Sequence, residues 1–325
     1  MKIIAYLTLG VILLGSLSGC TSQNKKSLKK TIAVSILPQK YFIDQIAGNH
    51  YNVLVMVSQG SSPETYEPTA SQLTELSQAT IYFRLGNLDF ENTMLRGIND
   101  NFPYLKVVNC SQGINLISSI EPEEEKNHHH AIDPHIWISP KTVKVIAQHI
   151  YSSLIEVDPT YADSLKIGYN KFINSIDSLD SMMANAVKRH NIKSVMVFHP
   201  ILSYLARDYG FNQIAIESEG KEPSPKMMKT NIDVAKTNGI KIIFVQQEFD
   251  TERATIIARQ IGASVVKLDP LGYNWNNSIR YIVSQFEQTN NINQHDKPTN
   301  GKECYSRIWT YYNPTQHQPR NKTKR

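Results

Sequence analysis

Cysteine, long apolar runs and charge imbalance are all scarce in this chain, and each scarcity excludes something. Three cysteines in 325 residues (Cys20, Cys110 and Cys304) rule out a disulfide framework, and a Cys110 to Cys304 bridge is not expected. The apolar run at residues 3–14 is too short for a membrane span, which takes about 20 apolar residues. The formal net charge is +5, but the tail from Gln294 onward carries seven Lys or Arg against Asp296 and Glu303, so the rest of the chain is balanced. A balanced body gives no electrostatic support for a nucleic-acid partner. There is no HExxH helix of the kind that carries a catalytic zinc.

What is present begins with a leader. MKIIAYLTLGVILLGSLSGC runs from Lys2 through apolar residues into small ones and then a cysteine, which reads as a secretory signal over residues 1–20. Leu17-Ser18-Gly19-Cys20 resembles a bacterial lipobox, in which Cys20 is lipidated. The polar TSQNKKSLKK (21–30) reads as a solvated tether, and residues 294–325, rich in Asn, Pro and Lys without period, as a disordered basic tail. The 41% of hydrophobic residues suffices for two domains, each with its own core.

Reading for period, TIAVSIL (31–37) is a β-branched strand, and PQKYFIDQIAG is a helix burying Tyr41, Phe42, Ile46 and Ala47 and stopping at Gly48. NVLVMV (52–57) is the next strand and ends in the loop GSSPETYEP. The same order returns with SVMVF (194–198), HPILSYLARDYG, NQIAIE (212–217) and SEGKEPSP. Each copy continues with two more helix and strand pairs, ending in LKVVNCS and SVVKLDP. Such alternation implies parallel sheets covered on both faces. The expected fold is α/β: two similar lobes with mostly parallel sheets, at 31–157 and 191–293. Between them, 158–190 opens with Asp158 as N-cap and Pro159 at the first helical position. Its Leu165, Tyr169, Phe172, Ile176, Leu179, Met183 and Ala186 step by four and three along one face. At about 1.5 Å per residue this rigid linking helix would span roughly 48 Å.

In open parallel sheets, ligands collect outside the C-terminal strand ends. Four polar residues fall there: Glu64 after NVLVMV, His135 in AIDPHIWISP, His199 after SVMVF, and Asp269 after SVVKL. Singly, each has an ordinary alternative as a loop acid, a packed histidine or a turn former. Together, two imidazoles and two carboxylates offer nitrogen donors and charge neutralisation to a divalent cation in the cleft between lobes. His50, His149, His190, His295 and His317 lack such a context and read as surface or packing residues.

At these residues the chain resembles the metal-binding solute receptors of bacterial ABC importers, the zinc and manganese cluster. The likeness covers about 31–288 and rests on GSSPETYEPTASQL, DPHIWISP, VFHPILSYLARDYGF, EGKEPSP and LDPLG. It implies two α/β lobes joined by one rigid helix, with His135 and His199 as ligand histidines and Asp269 as the ligand carboxylate. The remaining position falls on Glu64, where most zinc members have histidine. Two carboxylates make a harder set that suits manganese, whereas general affinity favours zinc. The run EPEEEKNHHH (121–130), ending in His128, His129 and His130, resembles the metal-recruiting loop of zinc importers; its ordinary reading is a solvated linker.

The function implied is an extracytoplasmic solute-binding protein that captures Zn2+ and delivers it to the permease and ATPase subunits of an ABC importer. A monomer is expected, held to the lipid bilayer by acylated Cys20 on the periplasmic or cell-surface face, with no enzymatic role. The alternatives are a manganese or iron receptor of the same class, a metal-dependent hydrolase, and a surface adhesin; the last draws no support from repeats or an aromatic patch.

Overall fold

The computed structural model describes residues 29–96, 102–118, 132–217 and 224–289. The leader with Cys20, the histidines His128, His129 and His130, Cys304 and the basic tail lie outside the described residues. Within them, the β-branched runs form two parallel sheets of the same plan. β1 (Thr31–Val34), β2 (Asn52–Val55), β3 (Ile81–Arg84) and β4 (Lys106–Asn109) lie in the order β2-β1-β3-β4. β5 (Ser194–Val197), β6 (Asn212–Ala215), β7 (Ile242–Gln246) and β8 (Ser264–Leu268) repeat it as β6-β5-β7-β8. All six pairings are parallel. In each sheet the chain first moves outward on one side and then returns to the other. The reversal leaves crevices at the carboxyl ends of β1/β3 and β5/β7, where ligands gather in such sheets.

The first strand is shorter than its apolar run. The amides of Ser35 and Ile36 turn to donate to the Gln39 side-chain oxygen, at 2.9 and 3.2 Å, and this starts α1 (Leu37–Ala47) in place of further strand. The chain then forms α2 (Ala70–Ser77), α3 (Asp89–Met94) and α4 (Pro140–Val157). α5 (Ala162–Arg189) follows, then α6 (Ser203–Tyr209), α7 (Pro225–Thr237), α8 (Glu252–Ile261) and α9 (Trp275–Gln288). Among the described residues no helix is long and apolar enough to cross a membrane.

α5 buries the stripe read from its period: Leu165, Phe172, Ile176, Leu179, Met183 and Ala186 are each at most 1% exposed. Tyr169, at the edge of the stripe, stacks on Tyr151 of α4. The helix starts later than expected, because Pro159–Tyr161 form a 3₁₀ turn. Asp158 makes no cap; its carboxylate instead pairs with Lys30 at 3.1 Å and accepts from the Thr160 hydroxyl at 3.0 Å. The 28 helical residues span roughly 42 Å at about 1.5 Å each. Gly168 lies over the end of α1, where any side chain would overlap the Ile46 carbonyl, so its lack of a Cβ permits the close crossing. One buried cluster runs from Ile32 in β1 through α5 to Phe286 in α9, and so joins both sheets through the helix.

Candidate metal centre

The two sheets face each other across loops that two tryptophans pin. The indole N–H of Trp137 donates to the Pro270 carbonyl at 3.0 Å, and that of Trp275 donates to the Trp137 carbonyl at 2.6 Å. Both rings are 1% exposed. Burying an indole with its N–H satisfied is worth several kcal/mol of gross apolar transfer, at about 25 cal/mol per Å². The segment 135–138, next to the first sheet, is thereby locked to the turn after β8. The Tyr204 hydroxyl of α6 adds a bond to the Asp133 carbonyl at 2.7 Å.

On this frame three expected residues converge. His199 Nε2 lies 2.9 Å from a Glu64 carboxylate oxygen and 3.4 Å from His135 Nε2, and His135 Nε2 lies 3.8 Å from the same oxygen. Atoms at 2.0–2.1 Å from a common tetrahedral centre stand about 3.3 Å apart, and these separations straddle that figure. Glu64, His135 and His199 are the group of potential metal ligands found among the described residues. The histidines are 5% and 6% exposed, while the Glu64 side chain is 36% exposed. The cavity they line holds about 20 Å³, room for one water-sized occupant. On its other side Glu64 borders an open groove of about 850 Å³, walled by Tyr66, Phe90 and Met94.

Two carboxylates hold the imidazoles from behind. Asp133 Oδ1 accepts from the His135 backbone amide at 2.8 Å and meets its Nδ1 at 2.9 Å. Glu217, 5% exposed, contacts His199 Nδ1 at short range. With each Nδ1–H committed to a carboxylate, each Nε2 is left with a lone pair aimed at the cavity, as in metal sites where a carboxylate sets the histidine tautomer. Burial opposes charge on His199, but hydrogen bonds and charges from Glu217 and Glu64 outweigh it and push its pKa up to about 9. Burial likewise opposes charge on Glu64, yet His199 and His135 hold its carboxyl below its ordinary value. The site is built for positive charge.

Asp269 does not join the group. Its carboxylate accepts from the Gln247 side chain and the amides of Leu271 and Gly272, and burial raises its pKa. Strand order is the physical reason: β8 is separated from β5, which carries His199, by β7. Asp133 and Glu217 were not singled out from the sequence. Asp133 was visible two residues before His135. Glu217 had only its place after NQIAI, and its link to His199 depends on β6 lying beside β5.

Over residues 32–295 the chain matches the family described as ZnuA, zinc-uptake complex component A, periplasmic. It is 28% identical over 264 residues to the zinc-binding lipoprotein AdcA of Streptococcus pneumoniae (strain ATCC BAA-255 / R6), covering 78% of this chain and 52% of that one. The chain thus spans about half the length of this curated relative. A crystal structure of ZnuA superposes with a TM-score of 0.71 at 35% identity, covering 81% of this chain and 99% of the other. A zinc-bound ZnuA lacking residues 138–173 of its own chain gives 0.72 at 33% identity, covering 83% and 100%.

Proposed function

We propose, on the premise that this chain belongs to the ZnuA family of periplasmic zinc-uptake components, that it captures one Zn2+ outside the cytoplasm and hands it to the permease of an ABC importer. The observation that carries this reading is the convergence of Glu64 oxygen and two imidazole Nε2 atoms at 2.9, 3.4 and 3.8 Å around a cavity for one ion. Glu64, half in the open groove, meets the incoming cation first. The two pre-aimed imidazoles then replace its water. Zinc is the first cargo because nitrogen donors and general affinity favour it over manganese, which is the alternative the carboxylate content supports.

Binding is favoured over hydrolysis by what surrounds the site. A catalytic zinc needs a nearby base to take a proton from its water. Asp133 and Glu217 are both committed to ligand imidazoles, so neither is free for that task. The protein acts as a monomeric receptor, with lobes 31–157 and 191–293 on either side of α5. Cys20 anchors it to lipid after signal cleavage, consistent with the lipoprotein name of the streptococcal relative. His128, His129 and His130 serve as a lure near the cleft.

The test is zinc titration by chelator competition. His135→Ala and His199→Ala are each expected to weaken binding by more than about 100-fold, the upper end of what losing a mere supporting residue costs. Wild-type affinity in both variants sinks the proposal, and tighter manganese than zinc binding reassigns the cargo.

A further inference from the structure

We infer that the fourth ligand of this metal centre is Glu248, on the turn after β7, and not Asp269; the inference rests on the zinc-receptor reading above. The sheet order β6-β5-β7-β8 sets out the candidates in a row along one edge. Glu217 follows β6, His199 follows β5, Glu248 follows β7 and Asp269 follows β8. β5 and β7 are hydrogen-bonded neighbours, with Val197 level with Phe244. His199 lies two residues past the end of β5, and Glu248 lies two past the end of β7. Neighbouring strands are about 4.8 Å apart, so Asp269 starts roughly twice as far from His199.

Side-chain surroundings agree with the topology. Glu248 lines the same small cavity as Glu64, His135 and His199, whereas Asp269 lines a separate one beside it, with Glu248 between the two. The turn bearing Glu248 is tied to the site, because the Phe249 ring stacks on the His199 imidazole at 5.7 Å between centroids. The Phe249 amide also closes the turn on the Gln246 carbonyl at 3.1 Å. Asp269 is occupied elsewhere. Its carboxylate holds the turn at Leu271 and Gly272, and a Cβ on Gly272 would come within 2.5 Å of its Oδ2. That turn presents the Pro270 carbonyl to Trp137. Asp269 is therefore a structural anchor for the Trp137 lock. Glu248, half-buried at the mouth of the cavity, has no such duty.

The experiment compares the full chain with its Glu248→Gln and Asp269→Asn variants, using zinc titration by chelator competition and thermal melting without metal. Glu248→Gln is expected to lose zinc affinity by at least about 10-fold, the lower bound seen even for residues that only support a ligand. Its metal-free melting temperature should stay at the wild-type value. Asp269→Asn should show the reverse, a lower melting temperature with zinc affinity kept. Wild-type affinity in Glu248→Gln, or the affinity loss appearing in Asp269→Asn, overturns the inference while leaving the receptor reading intact. That reading fails separately, through His135→Ala and His199→Ala. A zinc-loaded crystal structure decides the matter if either variant fails to fold: a Glu248 oxygen at about 2.0–2.2 Å from the ion supports the inference, and an Asp269 oxygen there overturns it.

Discussion

Between β1 and β3 the switch-point crevice is filled from within. Glu91, fully buried on α3, accepts from the amides of Leu85 and Gly86 just past β3, both at 2.7 Å, and from the Ser35 hydroxyl just past β1. Tyr82 closes the network with its hydroxyl 2.8 Å from Ser35. Between β5 and β7 the equivalent crevice receives His199, braced by Glu217 from the β6 side and stacked by Phe249 from the β7 side, with Nε2 left facing a cavity. The two sheets thus offer the same converging strand ends to a polar side chain. In the first, every donor is answered internally and the result is stability. In the second, the brace sits behind the imidazole and the result is an unanswered lone pair suited to a cation.

Breaking the first crevice is therefore expected to cost stability and spare binding. Glu91→Ala leaves two buried amides and a hydroxyl without an acceptor, at about 1–3 kcal/mol each, for a total on the order of 3–5 kcal/mol. Urea unfolding of the metal-free protein measures the loss, and zinc titration of the folded fraction should return the wild-type affinity. A variant that keeps its stability but loses zinc would show that the two crevices do not divide these tasks.

How much of this division is legible in the sequence depends on whether a feature is local in the chain. The stripe of α5 is local, and Leu165, Phe172, Ile176, Leu179, Met183 and Ala186 are all buried as their spacing implies. The repeated order of strands and helices is local too, and it yields two parallel sheets. His135, His199 and Glu64 are legible as strand-end residues, and the structure brings them together. Strand order is not local. It decides that Glu217 reaches His199, that Glu248 lies beside the cavity and that Asp269 is turned to its own loop, and no periodicity encodes it. The beginning of α5 shows a smaller case of the same limit. Asp158 has the right type for a cap, but Lys30, 128 residues earlier, takes its carboxylate.

The second crevice can be probed by pH. The metal-free His199 is an imidazolium held by Glu217 and Glu64, with its pKa raised from 6.5 to about 9. Its folded value lies above its unfolded one. Its contribution to the stability of the metal-free fold is therefore fully present below pH 6.5 and is lost as pH rises through about 9. Zinc needs the neutral ring, so at neutral pH binding must expel this proton, and affinity should climb toward tenfold per pH unit below about 9 and flatten above it. Chelator competition at several pH values, with proton release recorded in weak buffer, checks both signs. The Glu91 network should contribute nothing to either curve, because it does not touch the cavity ligands.

The smallest effect is expected at Glu64, the one member of the group that the open groove reaches. Its side chain is 36% exposed, against 5% and 6% for the histidine residues, so water can enter when the carboxylate is neutralised. Glu64→Gln keeps an oxygen donor and removes one negative charge, which should cost about tenfold in zinc affinity, near the lower end for residues that support a metal site. The same change removes one of the two acceptors that hold the metal-free His199 protonated, so the pH at which affinity flattens should fall below that of the wild type. The two readouts separate the roles of Glu64. Lost affinity with an unmoved pH curve makes it a ligand alone, and a moved curve with full affinity makes it only the counter-charge of His199. Both together are what a carboxylate shared between proton and cation requires.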